Sequence, residues 1–276
     1  MNASALSHRA PARMLRALDR LRGTPWPYCV AAFHRIAEPC GDGDELSYPP
    51  TAFAALCRYW RERCEILSLD RLLARLAHGD PAEHPCLSIT FDDGYADNAE
   101  AAAPILDRLE LSATFFLPTA ALGVENRFPW DAGMSPPPRV MSWEQAQELH
   151  RAGFGIGSHT ATHARLSVVR GAELERELEE PRRRLELELG EAPLDLAYPF
   201  GGPADCDEVA RSAARRAGYR SCFSCHGGLI AAGDSPYRLN RMSISPRYHA
   251  TPQAWARAYT RARWRASTRR PAPAHW

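Results

Sequence analysis

Short apolar or β-rich runs recur along the whole chain, separated by longer stretches of helical pattern. This alternation constrains the fold more than any other feature. The runs are YCVAAFH (28–34), CEIL (64–67), CLSITF (86–91), SATFFL (112–117), GFGIG (153–157), LDLAYP (194–199), YRSCFS (219–224) and RLNRMSI (238–244). Helices are predicted between them near 51–61, 69–77, 97–109, 143–152, 171–189, 205–217 and 252–263. Strands that alternate with helices build a parallel sheet, because each parallel connection needs a crossover. Seven or eight strands without a glycine-rich phosphate loop suit a barrel better than a nucleotide-binding open sheet. The expected class is therefore α/β. No internal repeat or linker divides the 276 residues, and a 45% hydrophobic composition is ample for one core.

Two stretches break the rhythm. RFPWDAGMSPPPRV (127–140) is rich in proline and aromatic residues and reads as an ordered loop over one end of the barrel. RGAELERELEEPRRRLELELG (170–190) is a charged helix whose Glu/Arg spacing mostly indicates a solvated face, with Pro181 predicting a kink or break.

Net charge is +1, which gives no overall bias toward nucleic acid or anionic membrane. All 34 basic residues are arginine, a coding bias without functional weight. Residues 8–22 and 257–270 are Arg-rich and read as frayed, solvated ends, with weak peripheral contact to an anionic membrane face as the alternative. No stretch approaches the ~20 apolar residues of a spanning helix, and the first residues lack the apolar core of a secretory signal. The expectation is a cytoplasmic protein, at most at the inner face of the membrane. The eight cysteines then read as reduced thiols, several of them small buried residues.

The run CLSITF ends in two adjacent carboxylates, Asp92 and Asp93, followed by Gly94. Side by side they repel, unless a cation relieves the repulsion. GIGSHTATHARL (155–166) holds His159 and His163 at i, i+4, a spacing that presents both imidazoles to one side if the chain turns helically there. Thr160 stands where H-E-x-x-H would carry glutamate, so this pair offers two ligands and no base. At the C-terminal rim of a barrel, one aspartate can complete a metal site and the other can accept a proton from the attacking water. Alone, Asp-Asp-Gly is a turn and a His pair is incidental; together, each ending a strand-like run, they point to a metal site.

TFDDGYAD, GSHTATH and AYPFG resemble the motifs of the polysaccharide deacetylase family, also called the NodB-homology or carbohydrate esterase family 4 domain. FHRI, ATFFL, MSWEQAQEL and GYRSCFS fit the same pattern, so the resemblance runs from about Tyr28 to Ile244. It implies a distorted parallel (β/α) barrel of about seven strands that removes N-acetyl, sometimes O-acetyl, groups from sugars. It bounds the chain as a basic extension (1–24), a deacetylase domain (25–250) and a C-terminal helix with basic tail (251–276). It assigns Asp92 as general base and Asp93, His159 and His163 as ligands of one divalent ion, usually Zn2+, with Co2+ or Ni2+ as alternatives. It places the oxyanion-binding N–H at Phe200, beside Tyr198. In the exopolysaccharide and capsule subgroup with AYPFG, it sets a Trp-Asp element, here Trp130 and Asp131, near the substrate cleft. For Trp130 the alternative is an indole that pins the loop to the barrel.

The chain departs from the family in two places. Leu196 stands where many members carry the arginine that orients the catalytic aspartate; Arg241 in LNRMSI is the substitute candidate, with an ordinary salt bridge as the alternative. The late Leu-x-His motif that supplies the general acid is absent. His34, which closes the first run and would stand at the same rim as Asp92, is the candidate acid, with a hydrogen-bonded structural histidine as the alternative. CFSCH (222–226) matches the haem-attachment pattern, but it lies in a probable-strand register where Cys222 and Cys225 would face opposite sides, so context argues against haem. The expected activity is metal-dependent N-deacetylation of amino sugars in a polysaccharide, oligosaccharide or lipid-linked precursor. The alternatives are removal of another small acyl group, such as formyl, from a lipid- or nucleotide-linked amino sugar, and an inactive glycan-binding barrel. No nucleic-acid partner is expected.

Overall fold

A computed structural model describes residues 25–41, 44–124, 128–226, 228–231 and 233–267. The basic extension 1–24 and the tail beyond 267 lie outside the described residues. Every predicted run forms a strand: β1 (Tyr28–Phe33), β2 (Glu65–Ile66), β3 (Cys86–Phe91), β4 (Ala113–Leu117), β5 (Gly155–Ser158), β6 (Asp195–Ala197), β7 (Ser221–Phe223) and β8 (Met242–Ser243). The strands pair in parallel in the order β7-β6-β5-β4-β3-β1-β8. The short β2 pairs with the first residues of β3, and β4 with its last. Leu239, just ahead of β8, bridges Phe223 of β7: the Leu239 N–H donates to Cys222 and its carbonyl accepts from Ser224. That one-residue seam joins the two ends of the sheet into the distorted barrel.

Strands β1, β3, β4, β6 and β7 are buried along their whole length, so both faces are covered, which is why they read as apolar runs rather than alternating ones. Along β1, Cys29, Ala31 and Phe33 join the large outer cluster with Phe53, Leu56 and Trp60 of helix α1 (Pro50–Arg63). Tyr28 and Val30 point the other way, into the barrel with Phe116, Phe223 and Leu239. The same parity runs through β3: Leu87, Ile89 and Phe91 face the helices, so Ser88, Thr90 and then Asp92 face the interior. Gly157 on β5 is needed for this packing, because a Cβ there would overlap the Phe116 ring. Gly157→Ala is expected to lower stability by about 1–3 kcal/mol through overpacking, read as a drop in thermal midpoint.

Helix ends follow their local signals. Ser68 caps α2 (Leu69–His78), which ends on left-handed Gly79, and Ser142 with Gln145 forms a capping box on α4 (Trp143–Arg151). The helix predicted over 97–109 opens instead as a π turn (Asn98–Ala102) before α3 (Ala103–Arg108). After α6 (Glu208–Arg216) and the short α7 (Pro246–His249), the last helix, α8 (Pro252–Ser267), places Trp255 and Tyr259 in the outer cluster.

One expectation fails. Helix α5 (Gly171–Leu189) runs unbroken through Pro181. An interior proline removes one N–H and crowds the carbonyl four residues earlier. Here that carbonyl, of Glu177, accepts instead from the Ala161 N–H of a neighbouring loop (3.1 Å). The solvated-face reading of this helix also has an exception, since Glu177 is buried.

Candidate active site

Strand alternation alone carries Asp92 to the barrel interior and would send Asp93 outward. Left-handed conformations at Asp93 (φ 69°) and Gly94 (φ 66°) turn the chain at the strand end, and the second carboxylate reaches the same rim. Both carboxylates are buried. A cavity of about 400 Å³ opens over them, lined also by His34, His159, His163 and Phe200.

The Asp92 carboxylate meets the guanidinium of Arg241 edge to edge, Nη1 to Oδ1 at 2.8 Å and Nη2 to Oδ2 at 2.6 Å. Arg241 has no solvent exposure; its Nε donates to the Ser224 carbonyl (2.9 Å), and Nη1 also reaches the Thr90 hydroxyl (3.2 Å). Burial would raise the Asp92 carboxyl, but Arg241 and the neighbouring His159 hold it below the usual carboxylate range. The side chain that Leu196 cannot supply thus has a counterpart from the opposite edge of the sheet.

Asp93 faces the two imidazoles. Its Oδ1 lies 3.2 Å from His159 Nε2 and 3.1 Å from His163 Nε2, and the two rings are 4.8 Å apart. The loop between the histidines is not a helical turn, contrary to expectation: Thr160 (φ 67°) and His163 (φ 62°) are left-handed. Two such residues fold the chain back, and His163 comes beside His159 by that route. The Ala197 carbonyl accepts from His159 Nδ1 at 2.8 Å, so in the neutral ring the Nε2 lone pair faces Asp93. Asp93 Oδ1 is buried and makes no hydrogen bond of good geometry. An imidazole lone pair aimed at a carboxylate oxygen is repulsive on its own, and a cation between them reverses the sign. Asp93, His159 and His163, one oxygen and two nitrogen donors, therefore fit a divalent ion that leaves further coordination positions open.

His34, Asp92 and Cys225 form a second close group, with one polar atom of each within 4.8 Å of the others. A cation is disfavoured there because both Asp92 oxygens already face Arg241. Burial pushes the Cys225 thiol up to about 11, so it is neutral near pH 7. Cys222 lies in a different cluster, with Tyr198 and Cys206, so the CFSCH cysteines do face apart.

The remaining candidates divide. Phe200 is left-handed (φ 64°) and half-exposed at the cavity mouth, its ring 5.0 Å from that of His163 and 4.0 Å below the Arg165 guanidinium. Trp130 lines the cavity, stacks on Phe128 (4.7 Å) and sits 5.0 Å from the His163 ring. Tyr198 lines the cavity too, but its hydroxyl is engaged elsewhere, on the Tyr237 carbonyl (3.3 Å). Asp131 does not line the cavity, which corrects its expected place: it is 2% exposed, and both its oxygens lie 3.1 Å from the Tyr95 hydroxyl. Tyr95 in turn accepts from the Trp130 Nε1–H (2.8 Å), so Asp131 supports the aromatic wall from behind.

Sequence reasoning missed the residues that hold His34. Asp97 accepts from the Ile36 N–H (2.9 Å) and from Arg35 Nε (3.1 Å), and Asn98 donates to the His34 carbonyl (2.8 Å). The signal was present in the polar tail of FDDGYADN, whose π turn places Asn98 under the end of β1.

A barrel rim with a carboxylate–imidazole cluster beside a guanidinium-held aspartate suits metal-assisted hydrolysis. Comparison with known proteins gives the family. The chain belongs to the polysaccharide deacetylase family, whose family model matches residues 79–222, more than half of the sequence. YxkH of Bacillus subtilis (strain 168), a protein that carries the same family designation, is 23% identical over 218 residues, 79% of this chain and 71% of that one. Among solved structures, the deacetylase PplD of Streptococcus pyogenes, in complex with acetate, superposes with a TM-score of 0.72 at 20% identity, covering 86% of this chain and 99% of that one. IcaB from Ammonifex degensii gives 0.70 at 18% identity, with 86% and 98% covered. The distorted (β/α) barrel is thereby established, and members of this family are generally metal-dependent and act on N-acetylated carbohydrate. Among the described residues, no helix is long and apolar enough to cross a membrane.

Proposed function

We propose that this chain hydrolyses the N-acetyl groups of amino sugars in a polysaccharide, oligosaccharide or lipid-linked glycan and releases acetate. The observation that carries the reading is the division of labour between the aspartates: Asp92 is held by Arg241, while Asp93 faces two imidazole nitrogens with an oxygen that lacks a good donor. In this reading Asp93, His159 and His163 hold one divalent ion, most simply Zn2+. When bound, the ion supplies Lewis acidity toward the amide carbonyl and lowers the pKa of the attacking water to about 7, within reach of a carboxylate base.

The residues of the chain do the rest. Asp92 stays ionised through its pairing with Arg241 and takes the proton of the water that attacks the acetyl carbonyl. The Phe200 N–H donates to the oxygen that gains charge. Trp130 and the Phe200 ring form an apolar wall against a sugar face and keep bulk water away. His34, which lines the same cavity and lies close to Asp92, donates the proton with which the amine departs. PplD, solved with acetate, carries on the same fold the product this reaction would release.

Acetate release from N-acetylated chitooligosaccharides tests the proposal. Release is expected with stoichiometric Zn2+, to stop with a chelator, and to return with Zn2+, Co2+ or Ni2+. Formate release from N-formylated amino sugars, without acetate from the acetylated ones, would instead indicate a deformylase. No acid from either panel at stoichiometric metal would indicate a glycan-binding barrel. His34→Gln is expected to lower kcat by about a hundredfold with metal content and KM little changed, the usual contribution of a proton donor. Near-full turnover in that variant would make His34 structural.

A further inference from the structure

The five residues that carry both imidazoles form a loop with two non-glycine residues in the left-handed region, Thr160 and His163. Such a conformation persists only where its surroundings over-determine it. On one side β4 and the segment after it hold the loop: Leu117 accepts from the His159 N–H (3.0 Å), and the Ala120 N–H donates to the Ala161 carbonyl (2.8 Å). On the other side stands α5. A regular helix would use the Glu177 carbonyl for the N–H of residue 181, and Pro181 has none. The Ala161 N–H fills that gap at 3.1 Å. The Glu177 carboxylate, itself buried, takes the next residue, accepting from the Thr162 N–H at 2.9 Å and the Thr162 hydroxyl at 2.8 Å. One glutamate thus receives three donors from the two residues that precede His163.

We infer that Pro181 and Glu177 form a docking notch that sets the separation and aim of His159 and His163, and so act as positioning residues for divalent-ion binding. This rests on the metal-site reading above. Proline is the poorest residue for a helix interior, and a helix that only had to be a helix would do better with alanine. At 181 the missing N–H leaves the Glu177 carbonyl open to the loop. Alanine would restore an internal donor that competes with Ala161 for it.

The test separates positioning from packing. Zn2+ affinity is measured by chelator competition, and the visible spectrum of the Co2+-loaded protein is recorded, for wild type, Pro181→Ala and Glu177→Gln. The thermal midpoint of each metal-free chain is measured alongside. Pro181→Ala is expected to melt no lower than wild type yet bind Zn2+ about tenfold more weakly, with altered Co2+ absorption bands. Glu177→Gln, which exchanges an accepting oxygen for a donor, is expected to lose about ten- to a hundredfold in affinity, the range for partners that orient metal ligands. Wild-type affinity and spectrum in both variants would overturn the inference while leaving the metal site intact. A wild-type chain that takes up no Zn2+ or Co2+ would overturn the metal site and this inference with it.

Discussion

Asp92→Asn is expected to lower turnover on an N-acetylated chitooligosaccharide by about a thousandfold or more while the chain still binds its full equivalent of metal. The amide cannot take a proton from water, and general-base contributions reach this size. The bound ion is expected to stay because Asp93, His159 and His163 are untouched and Asp92 makes its contacts to Arg241 instead. Turnover by steady-state acetate release and metal by elemental analysis are the two readouts. Loss of metal along with turnover would exchange the roles of the aspartates. The assay belongs well below the melting temperature, because asparagine offers Arg241 one neutral acceptor where there had been two charged oxygens, and a fully buried guanidinium with a weakened partner destabilises the fold.

Arg241→Met should have the largest effect on stability. Removing one partner of a buried ion pair costs about 3–5 kcal/mol, because the remaining charge is left in a low-dielectric site. Against a typical total of about 5–15 kcal/mol, that is enough to leave a marginal chain partly unfolded. The Asp92→Leu/Arg241→Met double variant removes both charges and should recover most of the loss, since paired replacement by apolar groups is close to neutral. Urea melts of wild type, Asp92→Leu, Arg241→Met and the double variant form a thermodynamic cycle that gives the coupling directly. A single-variant cost below about 1 kcal/mol, the level of an exposed pair, would contradict the burial of this contact. The double variant is also predicted to bind metal and remain inactive.

The sheet was readable because most of its strands are short, apolar and covered on both faces, so each stands out from the charged helices around it. The two halves of the rim were readable because each ends such a strand. What could not be read was conformation and distance along the chain. Strand alternation puts only one of two adjacent aspartates inside; the left-handed turn at Asp93 that recovers the other has no signature beyond the following glycine. The His pair suggested a helix because i, i+4 spacing is most simply helical, and two left-handed residues reach the same proximity by another route. Arg241 lies 149 residues from its partner, and its place depends on how the last short strand closes the barrel. Glu177 looked like one more charge on a solvated helix, and only the loop docked on that helix explains its burial. Asp131 was misplaced because adjacency to Trp130 in sequence does not bring both side chains to the same surface.

The seam that completes the barrel rests on a single bridged residue, Leu239, and Arg241 follows two positions later. This seam is as narrow as the β5–β6 contact, where Ser158 and Leu196 are the one pair in register, whereas six residues are in register between β1 and β3. Local opening free energies follow the number of protected contacts, so these narrow contacts should open before β1 and β3 separate. β8 pairs with β1 and β1 with β3, so opening at Leu239 leaves Arg241 on the same side of the break as Asp92 and removes the Ser224 carbonyl that accepts from its Nε. The Leu239 and Ser224 amide hydrogens, which close the seam, should therefore exchange with solvent sooner than those between β1 and β3.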